Sequence, residues 1–259
     1  LERKLGRVEQ KMTGKVFLVG AGPGDPSLIT LRAVELIKKA DVVLYDRLVS
    51  KKILSMFPKK AKAIYVGRAV GDDYKHQDDT NELMVKYAKT KRCIVRLKGG
   101  DPIMFGRGGE EAEYLKKNKI KFEIVPGITS GIGSATYAGI PLTHRKFASS
   151  VVFVTGHEDF EKSKEAVRWK KLAKSTDTIV VMMGLSRLGI ICKQLSSGGM
   201  DKKTPVAVIQ NGTTTKQKMI TGTVSNIAQK VKRSKIEPPS IIIIGKVVSL
   251  SKTIGWRKK

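Results

Sequence analysis

Acidic side chains, cysteines, aromatic rings and long apolar runs are all scarce in this chain, and each scarcity removes a class of protein. Asp and Glu number 23 against 50 Lys and Arg, a formal net charge of +27 over 259 residues. That surplus concentrates polyanions near the surface. The lysines, however, fall in scattered pairs at the ends of expected helices (Lys38-Lys39, Lys51-Lys52, Lys59-Lys60, Lys116-Lys117, Lys170-Lys171), where they complement the negative helix terminus and stay solvated. Aromatics make up only 6% and do not interleave with basic residues as a stacking platform. Nucleic acid is therefore not an expected partner, and a small polyanionic substrate is left open.

Only Cys93 and Cys192 occur, far apart and each within an apolar run, so packed, reduced thiols and a reducing cytosol are expected rather than a disulfide framework. The longest purely aliphatic stretch, Ile241 to Ile244, is far short of the roughly 18 residues that cross a bilayer. No charged-then-apolar leader opens the chain, and a soluble cytoplasmic protein is expected. His76, His144 and His157 have no second ligand at metal spacing, and no metal is expected. No Gly-x-Ser-x-Gly elbow and no Gly-Lys-Ser/Thr phosphate loop is present, which sets aside a serine hydrolase and a nucleoside triphosphatase.

With 41% hydrophobic residues, the chain has enough apolar surface for two moderate cores. Short β-branched runs alternate with helical spacing, giving expected strands at Lys15 to Gly20, Asp41 to Asp46, Ala63 to Gly67, Cys93 to Lys98 and Phe122 to Val125. Between the first two, Leu28 to Ala40 has helical periodicity, with Ser27 and Thr30 as available caps. This is a βαβ beginning, so an α/β class with a largely parallel sheet is expected. The small-residue segment Gly127 to Gly139, with Pro141 and the polar stretch after it, reads as a connector. A second series follows, with strands near Val151 to Thr155, Thr178 to Met183, Pro205 to Gln210 and Ser240 to Val248, and helices near Lys164 to Leu172, Ser186 to Leu195 and Val224 to Val231. Gln217 to Ile220 is a candidate antiparallel partner. The expected division is an N-terminal extension over 1–12, one α/β domain over 13–142 and a second over 143–259.

Three motifs stand where open α/β sheets bind ligands, past the carboxyl ends of strands, and a fourth lies in the connector. Gly20-Ala21-Gly22-Pro23-Gly24-Asp25 offers positive φ and a backbone that a ligand can approach closely. It departs from a dinucleotide fingerprint, because Asp25 stands where the third glycine belongs and Pro23 removes an N–H. Arg96-Leu97-Lys98-Gly99-Gly100-Asp101-Pro102 is a second strand running into a glycine turn. Asp46-Arg47 follows the second strand, about where a Rossmann enzyme places its ribose-binding acid. Pro141-Leu142-Thr143-His144-Arg145 is polar and cationic in the connector.

These motifs, together with Val125-Pro126-Gly127-Ile128-Thr129 and the block from Phe105 to Glu111, resemble the uroporphyrinogen-III C-methyltransferases of the tetrapyrrole methylase (class III methyltransferase) family. The resemblance runs in the family's order from about Lys15 to Trp256, and is to the stand-alone form without a dehydrogenase/ferrochelatase module. It implies a two-domain α/β fold with the active site in the inter-domain cleft, a homodimer, and S-adenosylmethionine as methyl donor with S-adenosylhomocysteine as product. The implied cofactor contacts are Pro23, Gly99, Gly100, Asp101, Met104, Thr129, Ser130, Met183 and Gly212. The implied reaction is methylation of uroporphyrinogen III at two pyrrole carbons, giving precorrin-1 and then precorrin-2, the branch point to sirohaem, cobalamin and haem d1. Asp46 matches the family's proton acceptor. Arg68 occupies the position where relatives often carry lysine as a proposed donor; arginine stays protonated, so carboxylate binding or charge stabilisation suits it better. The substrate is an octa-acid, and Arg47, Arg107 and Arg145 fall beside the motif loops as candidate carboxylate binders. The alternatives are another methyltransferase of the superfamily, with a precorrin or ribosomal-RNA substrate, and a nicotinamide-dependent oxidoreductase using the Gly20 turn and Asp46.

Overall fold

The computed structural model describes residues 14–67, 75–156 and 167–257, the side chains of 75–77 excepted. The expected N-terminal extension, Arg68, His157 and the side chain of His76 lie outside the described residues. The described chain forms two compact units, one of residues 14–22 and 26–127, the other of 23–25 and 128–257. The passage thus falls at Gly127–Ile128, at the start of the connector read from sequence, and Pro23–Asp25 of the first glycine turn belong to the second unit.

The first unit is built on β1 (Lys15–Gly20), β2 (Val42–Tyr45), β3 (Lys62–Tyr65), β4 (Cys93–Lys98) and β5 (Lys121–Val125), all parallel, in the order β3-β2-β4-β1-β5. Its helices are α1 (Leu31–Lys39), α2 (Lys51–Leu54), α3 (Lys75–Ala88) and α4 (Gly108–Lys117). Thr30 caps α1, its hydroxyl accepting from the Ala33 N–H at 3.2 Å. Side chains of period two send Phe17, Val19, Val43, Val95 and Leu97 into a core with α1, and Val16, Leu18, Val42, Leu44 and Ile94 into a core with α3 and α4. Strand β4 breaks this pattern: on its α3/α4 face Ile94 is followed by Arg96 and Lys98, both buried.

The second unit contains α5 (Ser130–Tyr137), β6 (Val151–Thr155), α6 (Trp169–Ser175), β7 (Thr178–Met182), α7 (Leu188–Ser197), β8 (Pro205–Gln210), β9 (Lys218–Thr223), α8 (Ile227–Arg233), β10 (Ser240–Ile244) and α9 (Ser251–Ile254). Its sheet, β6-β7-β10-β8-β9, is mixed: β6 and β7 are parallel, while β10 runs antiparallel to β7 and β8, and β9 antiparallel to β8. The expected antiparallel partner over 217–220 is thus part of β9. The last strand stops earlier than expected, because Gly245 turns the chain at φ 149° and a Cβ there would lie 2.6 Å from the Asp177 carbonyl oxygen.

The segment 127–139 is not a loose connector. Most of it is helix α5, whose glycines and serine let it approach its neighbours closely: a Cβ on Gly131 would come within 2.7 Å of the Phe153 ring, and one on Gly133 within 2.7 Å of Pro23. Among the described residues no helix is long and apolar enough to cross a membrane.

Candidate active site

In the first unit the carboxyl ends of β1, β2, β4 and β5 meet in a knot of glycines. The Gly22 N–H donates to the Gly100 carbonyl at 3.1 Å, and the Gly100 N–H donates back to the Gly22 carbonyl at 2.7 Å. Both residues sit at positive φ, 75° and 71°, which accounts for two glycines at these positions. A Cβ on Gly127 would stand 2.2 Å from the Gly100 carbonyl oxygen, and one on Gly20 would lie 2.6 Å from the Gly127 nitrogen. Gly127→Ala is therefore expected to lower stability by about 1–3 kcal/mol through overpacking. Urea denaturation checks this, and an unchanged midpoint would contradict it.

The N–H groups of this turn are not a free cradle, in line with its departure from a dinucleotide fingerprint. Ala21 donates to the Lys98 carbonyl at 2.8 Å, Gly22 to Gly100, and Asp25 to the Thr213 hydroxyl at 3.0 Å. These three donors are therefore not available to a pyrophosphate.

Asp101 is similarly engaged. Its Oδ1 accepts from the Ile103 and Met104 N–H groups, both at 2.8 Å, and its Oδ2 from the Gly127 N–H at 3.0 Å. The carboxylate therefore fixes the loop carrying Met104 against the end of β5. Gly99 lies under the Asp46–Val49 turn, where a Cβ would meet Leu48 Cβ at 2.8 Å.

Asp46 sits at the solvent edge of a buried ion-pair network that sequence reasoning missed. Arg96 Nη2 donates to Asp46 Oδ1 at 2.7 Å, Arg96 Nε to Glu111 Oε1 at 3.1 Å, and Lys98 Nζ to the same Glu111 oxygen at 2.8 Å. Glu111 is fully buried on the face of α4 that also carries Gly108, Ala112 and Leu115, at helical spacing. Burial alone pushes the Arg96 guanidinium down, but the charges of Glu111 and Asp46 outweigh it and hold the group above its ordinary value. Burial pushes the Glu111 carboxyl up, yet the Arg96 and Lys98 charges bring it below the ordinary 4.5. Lys98 is lowered by burial and by neighbouring Arg96. The available signal was the alternation Ile94-Val95-Arg96-Leu97-Lys98: cations on one face of a central parallel strand demand a buried acid.

The loops past β2 and β4 and the end of β3 expose both apolar and cationic groups. Leu48, Tyr65, Ile103 and Phe105 are exposed. So is Arg47, while Arg107 at the start of α4 is part-exposed and pairs with Glu110, Nε to Oε2 at 2.8 Å. Phe105 and Arg107 have φ of 54° and 60°, a left-handed conformation costly for side-chain-bearing residues and common at working sites.

The remaining expected site residues belong to the second unit. Pro23 packs on Gly133 of α5, the Asp25 carboxylate accepts from the Tyr137 hydroxyl at 3.0 Å, and a Cβ on Gly212 would collide with the Ser134 hydroxyl. Pro23, the helix α5 and the Gly212–Thr213 loop thus come together. Thr129 precedes α5 without its hydroxyl capping the helix, and Ser130 opens it. Met183, exposed at φ 55°, follows β7 on the same sheet edge that carries Gly212 after β8. Arg145 is exposed at the tip of a tight turn closed by the His144–Ala148 bridge, with the His144 ring stacked on Phe147 at 5.0 Å. Among the described residues no cluster of His, Cys, Asp and Glu is arranged to hold a metal ion.

Comparison with known proteins agrees with this architecture. Residues 15–228 match the family model of tetrapyrrole (corrin/porphyrin) methylases. A uroporphyrinogen-III C-methyltransferase of Priestia megaterium is 50% identical over 238 residues, covering 92% of this chain and 100% of that protein. A siroheme synthase of Pseudoalteromonas atlantica is 50% identical over 94% of this chain but 52% of its own length, so the chain spans about half of such relatives. Among solved structures, the uroporphyrin-III C-methyl transferase of Thermus thermophilus complexed with S-adenyl homocysteine aligns with TM-score 0.79 at 37% identity, over 92% of this chain and all of that one. A cobalt precorrin-4 methyltransferase of cobalamin biosynthesis aligns with TM-score 0.81 at 28% identity, over 94% of this chain and 99% of that one. The chain belongs to the tetrapyrrole (corrin/porphyrin) methylase family.

Proposed function

We propose that this chain transfers methyl groups from S-adenosylmethionine to two pyrrole carbons of uroporphyrinogen III, giving precorrin-2 by way of precorrin-1. The observation that carries the reading is Asp46, anchored from below by Arg96 and a quarter exposed, with 26% of its side chain open beside exposed apolar and cationic groups. A relative matched over its whole length and 92% of this chain, 50% identical, bears the name of that activity.

The second unit has groups that suit S-adenosylmethionine. Gly133 and Gly212 present Cβ-free backbone, the Thr129 hydroxyl makes no cap bond, and Met183 exposes an apolar chain. The family resemblance implies Pro23, Thr129, Ser130, Met183 and Gly212 as contacts of the cofactor in the second unit, and Gly99, Gly100, Asp101 and Met104 as its contacts in the first. When bound, it supplies an electrophilic sulfonium methyl. Asp101 acts through the loop it braces, while Gly100 offers close approach rather than its N–H, which is already bonded. Asp46 accepts the proton lost from the methylated ring system, the step a positioned carboxylate accelerates. Leu48, Tyr65, Ile103 and Phe105 suit the apolar face of a macrocycle, and Arg47, Arg107 and Arg145 its carboxylates. Arg68 is read as a further carboxylate or charge-stabilising group.

Titration calorimetry with S-adenosylhomocysteine and with NADH tests the cofactor assignment: binding of the first alone is expected, and binding of NADH alone would overturn it. Arg145→Ala is expected to raise the KM for the porphyrinogen about tenfold, the loss of one charge-assisted pair, with kcat little changed. An unchanged KM removes Arg145 from the substrate contacts. The reading extends to a homodimer, supported by the family resemblance, and to a reducing cytoplasm, supported by the two free cysteines. Light scattering in reducing buffer tests the first.

A further inference from the structure

Among the described residues four charged side chains make up the network under the site, and one of them, Asp46, is open to solvent. Arg96 and Lys98 have side chains 5% exposed and Glu111 0%, while Asp46 stands at 26%. Stability does not account for such a group, since well-packed apolar side chains commonly do as well or better in place of a buried ion pair. Its geometry accounts for it. The Arg96 guanidinium is gripped on three sides: Nη2 by Asp46 at 2.7 Å, Nε by Glu111 at 3.1 Å, and Nη1 by the Leu97 carbonyl at 3.4 Å. A planar group held at three points has one orientation. It engages Asp46 through Oδ1, and among the described residues Oδ2 has no hydrogen-bond partner. One oxygen is thus anchored and the other presented.

We infer that Arg96 is the positioning residue for Asp46, with Glu111 as the fixed point from which Arg96 orients that carboxylate towards the methyl acceptor. The inference rests on the proposed role of Asp46 as proton acceptor. Charge counting separates positioning from folding. Removing Arg96 leaves Lys98 and Glu111 as a balanced pair 2.8 Å apart, with Asp46 still open to water. Arg96→Met is therefore expected to fold, and Arg96→Lys, which keeps the charge but cannot bridge two carboxylates, is a second variant should the first be unstable.

The test is a double-mutant cycle with Asp46→Asn, run on whichever tetrapyrrole the wild type methylates. Arg96→Met is expected to lower kcat about 10- to 100-fold, the cost of a misplaced catalytic group, while porphyrinogen KM and S-adenosylhomocysteine affinity stay within about threefold. In the Asp46→Asn background the same change is expected to have no further effect. Unchanged kcat in Arg96→Met and Arg96→Lys overturns the inference, as do losses that multiply in the double variant. Full activity of Asp46→Asn overturns both this inference and the acceptor role, whereas a wild type that methylates a different tetrapyrrole overturns only the substrate assignment.

Discussion

Replacing Asp46 by Asn is expected to lower turnover about 10²- to 10⁴-fold while S-adenosylhomocysteine binds within about twofold of wild type. Asn keeps the shape of the side chain and much of its hydrogen bonding, so a fall in kcat reports the loss of a proton acceptor. The two consequences are expected to separate because Asp46, held by Arg96 of β4, is not among the proposed cofactor contacts. Stopped-flow or steady-state methyl transfer beside calorimetry on one sample checks both. Full turnover in Asp46→Asn would strike it from the catalytic residues, and equal loss of cofactor binding would mean that it shapes the cofactor site.

The largest expected effect on stability falls at Glu111. Among the described residues, Glu111→Gln leaves Arg96 paired with Asp46 and takes from Lys98 its carboxylate partner, and removing one member of a buried pair costs about 3–5 kcal/mol. The pH dependence follows from the same network. The folded Glu111 carboxyl lies below its ordinary 4.5, so its stabilising contribution is complete above about pH 4.5 and is lost as pH falls from there through the folded value. Urea denaturation from pH 7 to pH 3 should show the wild type losing stability through this range and Glu111→Gln starting lower with a shallower slope. Parallel curves for the two proteins would show that Glu111 carries no such linkage.

Sequence made the strands legible for a physical reason. In a sheet covered on both faces most positions are apolar, so β1, β4, β6 and β8 stand out as largely apolar runs and have the residue limits expected of them, Arg96 and Lys98 notwithstanding. Helix α5 was hidden by the same logic reversed. Its buried face is Gly131, Gly133, Ser134 and Ala135, which carries no hydrophobic periodicity and is stabilised by close approach to Phe153, Pro23 and Gly212. The end of β10 was overrun because Gly245 looks ordinary in sequence while its φ of 149° stops the strand.

At the site, position was readable and partnership was not. Asp46, Gly99, Gly100 and Asp101 lie past strand ends as expected, because strand limits fix loop positions. What each does depends on partners distant in sequence: Asp101 on Gly127, Gly22 on Gly100, Asp46 on Arg96 and through it Glu111. The Gly20–Asp25 turn is the clearest instance, its glycines serving contact between strand ends rather than a phosphate.

The central claim is tested most directly by anaerobic incubation of the chain with S-adenosylmethionine and uroporphyrinogen III, followed by mass analysis of the tetrapyrrole. Sequential appearance of one and then two added methyl groups, with one S-adenosylhomocysteine formed per methyl, is the predicted result. No added mass on uroporphyrinogen III, from protein that binds S-adenosylhomocysteine, would contradict it.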